Sequence, residues 1–233
     1  MRRVQLFLLL LVLSCTPKAP SPSPVVYDYL PLKTGAFFVY SVDSTVIDQN
    51  ISQTYLYDLL VQVTDSFPNA DGGYTYVMLR SKRDTTGSAW TALESWSARV
   101  SAYQAVVSEG NIPYVKMAGP LEDGKAWDGN ALNTLGGTEK CPGQQTYTCD
   151  IYTISLFGKP YQTFSNSLTV IQNDNEDLIV AQDVRSEVYV KAVGLVDRSI
   201  VQLNYATDED HLGTQFVATG LQYHQSLTQY GGL

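Results

Sequence analysis

Through most of the chain apolar and polar residues alternate with a period of two, the spacing of a strand that buries one face. Residues 36–48 show it well, with Phe38, Tyr40 and Val42 set against Ser41 and Asp43. Further segments of this kind are 55–65 and 74–80, separated by a turn at 68–73. Residues 90–107 carry two signals. They are alanine-rich, which suits a helix, yet Trp96, Ala98, Val100 and Ala102 alternate, and the alternation favours strand. Glu109-Gly110-Asn111 reads as a hairpin turn into 112–117. Strands are then expected over 146–157, 161–172, 178–192, 194–206 and 215–227. About ten strands with short turns and no long amphipathic helix predict an all-β antiparallel meander. Barrel, half-barrel and sandwich all satisfy this pattern.

Composition agrees. The 16 tyrosines against three methionines suit pleated, half-buried surfaces. Hydrophobic content of 44% and charged content of 16% are globular values. A chain of 233 residues is enough for one core.

The opening MRRVQLFLLLLVLSC places two arginines before an apolar run from Val4 to Leu13, broken only by Gln5. Ten residues are too few to span a bilayer, which takes about 20. They suit the apolar region of a signal peptide. Ser14-Cys15 resembles the lipobox of bacterial lipoproteins, whose cysteine thiol receives a diacylglyceryl group. Leu13 is larger than the residue usual there. The expected organisation is a signal peptide over 1–14, a lipidated Cys15 with a Pro-rich tether over 15–26, and one β-rich domain over 27–233. The tether, TPKAPSPSP, reads as an extended spacer.

Lipidation of Cys15 would leave Cys141 and Cys149 as a pair within CPGQQTYTC. An exported chain meets an oxidising compartment, so a disulfide is expected. Loop entropy alone would give about 2.5 kcal/mol.

Losing Arg2 and Arg3 from 15 basic residues leaves 13 against 23 acidic, a net charge of −10. That argues against nucleic acid as a partner, and against a polybasic grip on anionic lipid.

YLPLKTGAFFVYSVDS at 29–44, GKAWDGNALNTLG at 124–136 and SEVYVKAVGLVDR at 186–198 together resemble a family of uncharacterised lipoproteins from Bacteroidota. Phe37-Phe38 departs from the family's Trp-containing aromatic pair, and Ala192-Val193-Gly194 from its usual Lys-Gly-Val-Gly. The resemblance implies an envelope protein and transfers no catalytic residue. Thr16 is not the aspartate that holds enteric lipoproteins at the inner membrane, which favours the outer membrane. TPKAPS lacks the acidic residues that send some Bacteroidota lipoproteins to the cell surface, which favours the periplasmic face.

No segment carries a catalytic motif, and no metal or other cofactor is expected. His211 and His224 lie thirteen apart with no zinc spacing. The acidic runs 173–177 and 208–210 lack the register of a calcium loop and read as turns. Trp127, Asp128 and Asn130 have the residue types of a sugar platform, a ring to stack on and polar groups for hydroxyls. The same segment also reads as a tight turn with Trp127 packed inward and Asp128-Gly129 supplying special backbone angles. The expected function is a non-catalytic envelope binding or interaction module, held to the membrane by lipid. Its partner would be a glycan, an apolar ligand in a sheet-lined cavity, or another envelope protein. A hydrolase acting on glycans is the remaining alternative.

Overall fold

The computed structural model describes residues 25–233 except 71, 85, 86, 138 and 142–145. The segment expected to be a signal peptide and Cys15 lie outside the described residues. The strands are β1 Phe37–Asp48, β2 Ile51–Pro68, β3 Tyr74–Arg83, β4 Thr91–Val100, β5 Gln104–Glu109, β6 Ile112–Ala118 and β7 Ala126–Asp128. They continue as β8 Glu139–Lys140, β9 Thr148–Cys149, β10 Ile151–Tyr161, β11 Phe164–Asn175, β12 Ala181–Val190, β13 Gly194–Tyr205 and β14 Val217–Gly231. A single 3-10 turn, Val26–Asp28, precedes them.

Twelve strands form one sheet in the order β6-β5-β4-β3-β2-β1-β14-β13-β12-β11-β10-β7, while β8 and β9 pair separately. The two outer strands meet at a seam. There the Val115 N–H donates to the Gly129 carbonyl at 2.9 Å, and Trp127 Nε1 donates to the Val115 carbonyl at 2.7 Å. The sheet is therefore a nearly closed antiparallel barrel, which resolves the choice the alternation leaves open.

Two hairpins use the turn that matches strand twist, with both central residues left-handed. Gln49 and Asn50 join β1 to β2, and Gly110 and Asn111 join β5 to β6. Residues 90–107 divide into two strands. Ser101 Oγ accepts from the Tyr103 and Gln104 N–H groups and turns the chain between them. Ala102 keeps the alternation going through that turn, so the pattern alone hides it.

One end of the barrel is plugged by the first described residues. Val26 and Tyr29 are 0% exposed, so the folded body starts before residue 27. The Val26 N–H donates to the Ala102 carbonyl at 3.1 Å, and the Ala192 N–H to the Asp28 carbonyl at 2.7 Å. Tyr29 Oη donates to Asn166 Oδ1 at 2.6 Å. Leu30 then packs against both main core clusters and links the plug to the interior.

Cys141 and Cys149 form the expected disulfide, with Cα atoms 5.0 Å apart, beside the β8–β9 pair.

Candidate binding cavity

Four charged side chains sit inside the barrel, where strand periodicity points them. Lys116 on β6 is 4% exposed and Glu187 on β12 is 1% exposed. Lys116 Nζ lies 2.7 Å from Glu109 Oε1 and 2.8 Å from Glu187 Oε1. Arg198 on β13 donates through Nη2 to Glu109 Oε2 at 3.1 Å. Tyr189 Oη donates to Glu187 Oε2 at 2.6 Å. Two cations thus face two carboxylates, the arrangement by which buried charge is tolerated.

The electrostatics follow from this pairing. Burial would push the Glu109 carboxyl upward, but Lys116 and Arg198 outweigh it and hold it at about 2. The same contest lowers Glu187: burial raises it, and Lys116 and Arg198 lower it further. For Arg198 burial works downward, and the facing Glu109 and Glu187 carboxylates carry it above its ordinary range.

Beside this cluster lies a cavity of about 70 Å³. Its apolar wall includes Phe38, Leu59, Met78, Val107 and Leu195. The lining also includes the four charges together with Arg80 and Trp96, drawn partly from the same strands as the apolar residues. The Arg80 guanidinium stacks over the Trp96 ring, 3.8 Å from its centroid, and Nη1 donates to Glu94 Oε1. Three N–H groups of the lining side chains are buried and have no acceptor among the described residues: Arg80 Nε, Trp96 Nε1 and Arg198 Nε. Arg198 Nε does approach Glu187 Oε1, but at 3.5 Å, beyond good hydrogen-bond geometry.

The segment of Trp127, Asp128 and Asn130 lies at the seam. Trp127 uses its indole N–H on Val115, as above, and sets its ring edge-on to Tyr152. Asp128 Oδ1 accepts from the Asn130 and Asp150 N–H groups at 2.9 and 3.1 Å. Asn130 is buried, donates to the Gly136 carbonyl and accepts from Asn133 Nδ2. These bonds fasten the loop and close the barrel. Gly129 is needed for space rather than for special backbone angles, because a Cβ there would lie 2.3–2.6 Å from the Tyr152 ring. Gly129→Ala should therefore lower stability by about 1–3 kcal/mol. Urea unfolding checks this, and an unchanged midpoint would contradict the tight contact.

Other chemistry is accounted for locally. Asp128 and the sulfurs of Cys141 and Cys149 lie close enough to share an ion, but both sulfurs are spent in the disulfide. His211 Nδ1 pairs with Asp208 Oδ1 at 2.7 Å in the β13–β14 loop. On the outer wall His224 Nε2 meets both Asp197 Oδ2 at 2.9 Å and Ser226 Oγ at 3.3 Å. A histidine that relays a proton from serine to carboxylate bridges them through two different nitrogens. This one, with its side chain 56% exposed, offers the same nitrogen to both.

Sequence reasoning passed over Glu109, Lys116, Glu187 and Arg198. The available signal was a charge set between apolar neighbours, as at Val115-Lys116-Met117.

No family model matches the chain, and no curated protein matches it. Among solved structures the chain is similar to a crystal structure from Bacteroides fragilis, described there as an exported protein with a YmcC-like fold. The two share 11% identity over 86% of this chain and 97% of that one, with a TM-score of 0.42. Among the described residues no helix is long and apolar enough to cross a membrane.

Proposed function

We propose that the chain is a lipid-anchored envelope protein of the Bacteroidota lipoprotein type, whose barrel is a non-catalytic binding module for a small apolar ligand. The observation that carries this reading is the interior cavity, whose largely apolar lining includes three side chains with a buried donor that lacks an acceptor among the described residues. An unmet buried donor costs about 1–3 kcal/mol, and a ligand acceptor would recover part of that. The glycan platform at Trp127 is less favoured, because its polar groups are engaged within the chain.

Anchoring at Cys15, on the periplasmic face of the outer membrane, fits the geometry of the body. The chain enters the barrel at its plugged end, and the exposed rings of Tyr27, Phe67, Tyr74, Tyr103 and Tyr230 lie at strand ends and turns on that side. Tyrosine suits a headgroup layer, being apolar in its body and polar at its tip.

Two measurements test the reading. Cys15→Ala is expected to move the body into soluble fractions, and continued membrane retention would sink the anchor. Native mass spectrometry of protein purified from its own envelope should reveal a non-covalent small molecule. A mass equal to the lipidated chain alone would overturn the binding module.

A further inference from the structure

We infer that the cavity takes the head of a neutral, acceptor-bearing apolar molecule, such as an amide, an ester or an alcohol, in preference to an anion or a cation. This rests on the binding reading proposed above and narrows it to a ligand class.

The donors set the first requirement. Arg80 Nε, Trp96 Nε1 and Arg198 Nε belong to three strands whose side chains line one small space. None of the three makes a hydrogen bond among the described residues, Arg198 Nε having only its 3.5 Å approach to Glu187, so the complementary group brings oxygen lone pairs. A primary or secondary ammonium brings none, and would meet three N–H groups instead.

The charge balance sets the second. Lys116 and Arg198 are matched within the cavity wall by Glu109 and Glu187, at 2.7–3.1 Å in their closest contacts. Arg80 is matched by Glu94 on its other side. A carboxylate or phosphate would satisfy the donors but add an uncompensated negative charge next to two buried carboxylates. Buried like charges are expensive at that range. A carbonyl or hydroxyl oxygen satisfies the donors and leaves the balance untouched.

The apolar part of the lining, which Tyr40 and Gln225 interrupt, sets the third. Phe38, Leu59, Met78, Val107 and Leu195 offer no polar side-chain atom, so hydrocarbon next to the head is what they would cover. Water is the competing occupant, since a cavity of about 70 Å³ can hold several molecules.

Three soluble six-carbon probes that differ only in the head separate these outcomes: hexanamide, hexanoate and hexylamine. Titrated calorimetrically into the full mature chain, hexanamide is expected to bind roughly tenfold more tightly than the other two. Trp96→Phe keeps a ring for Arg80 to stack on and removes one donor. It should weaken hexanamide roughly fivefold and leave the weak binding of hexylamine unchanged. Hexanoate binding as tightly as hexanamide would overturn the neutral-head inference while leaving a binding cavity in place. Equal binding of all three, or no effect of Trp96→Phe on hexanamide, would overturn the role of the donors. Binding of none would overturn both this inference and the binding module, leaving water as the occupant.

Discussion

Lys116→Met should destabilise the barrel by about 3–5 kcal/mol, the cost of removing one partner from a buried ion pair. Methionine matches the lysine stem in length, so little packing is lost. What remains is Glu109 and Glu187 facing each other with only Arg198 between them. The pH dependence gives the result its signature. In the native chain Glu109 is held at about 2, below its ordinary 4.5. A carboxyl lowered by folding adds stability above its unfolded pKa and loses it as pH falls toward its folded one. Native stability should thus decline between about pH 4.5 and 2. Without Lys116 the two carboxylates repel, and one of them is expected to rise above its unfolded value. That reverses the slope, so the variant gains stability as pH falls from neutrality toward 5. Urea midpoints at pH 3, 5 and 7 read both slopes. The double variant Lys116→Met/Glu187→Gln restores charge balance with Arg198 against Glu109, keeps an acceptor for Tyr189, and should recover much of the loss. A Lys116→Met midpoint within experimental error of the native one would remove the tetrad from the account of stability.

The same tetrad shows where reading the chain stops. Alternation located the strands well, because β1 shows water one face and the core the other, so Phe38, Tyr40 and Val42 stand out. On β12 that logic fails. Glu187, Val188, Tyr189 and Val190 are all buried, although only alternate residues face the barrel interior. The reason is remote in sequence. In β10 the register with β11 jumps between Ser155 and Lys159, around left-handed Leu156 and Gly158. The end of that hairpin brings Tyr161 and Phe164 onto Val188, Val190, Val193 and Val196 on the outside of the wall. A strand covered on both faces looks half-exposed to a local pattern, and its inward charges look like solvent-facing ones.

Closure of the barrel was hidden for a related reason. The strand that meets β6 is only three residues long, too short for any period to register. Trp127, Asp128 and Asn130 were legible as residues with a purpose, and their residue types fit a sugar platform and a turn equally well. What decides their present engagement is the position of Val115, Asp150 and Gly136, each supplied by a different part of the chain. The disulfide was legible because counting cysteines in a chain expected to be exported needs no geometry. The cavity was not, since its donors come from β3, β4 and β13 and lack acceptors only in the assembled barrel.

Tyr29→Ala is expected to cost about 3–5 kcal/mol, the range for truncating a fully buried aromatic ring. Its ring is 0% exposed and lies 6.1 Å from that of Phe157, and its hydroxyl holds Asn166 across the barrel end. Tyr29→Phe separates the two contributions. It keeps the ring, leaves Asn166 Oδ1 without its donor, and should cost about 1–3 kcal/mol. The consequences extend past stability because the next residue, Leu30, lines the cavity. The plug is therefore also part of the cavity lining. Loosening it should speed hydrogen exchange first at the amides of Val26 and Ala192, whose bonds tie the plug to the β4–β5 turn and to the β12–β13 connection. Exchange at Phe38 and Leu59 on the adjoining walls should stay slow in the same sample. If all four amides accelerate together, the plug is part of one cooperative barrel and cannot open by itself to admit or release a ligand. If only the first pair accelerates, the plugged end is a separately opening element, and ligand release should quicken in Tyr29→Ala before the barrel unfolds.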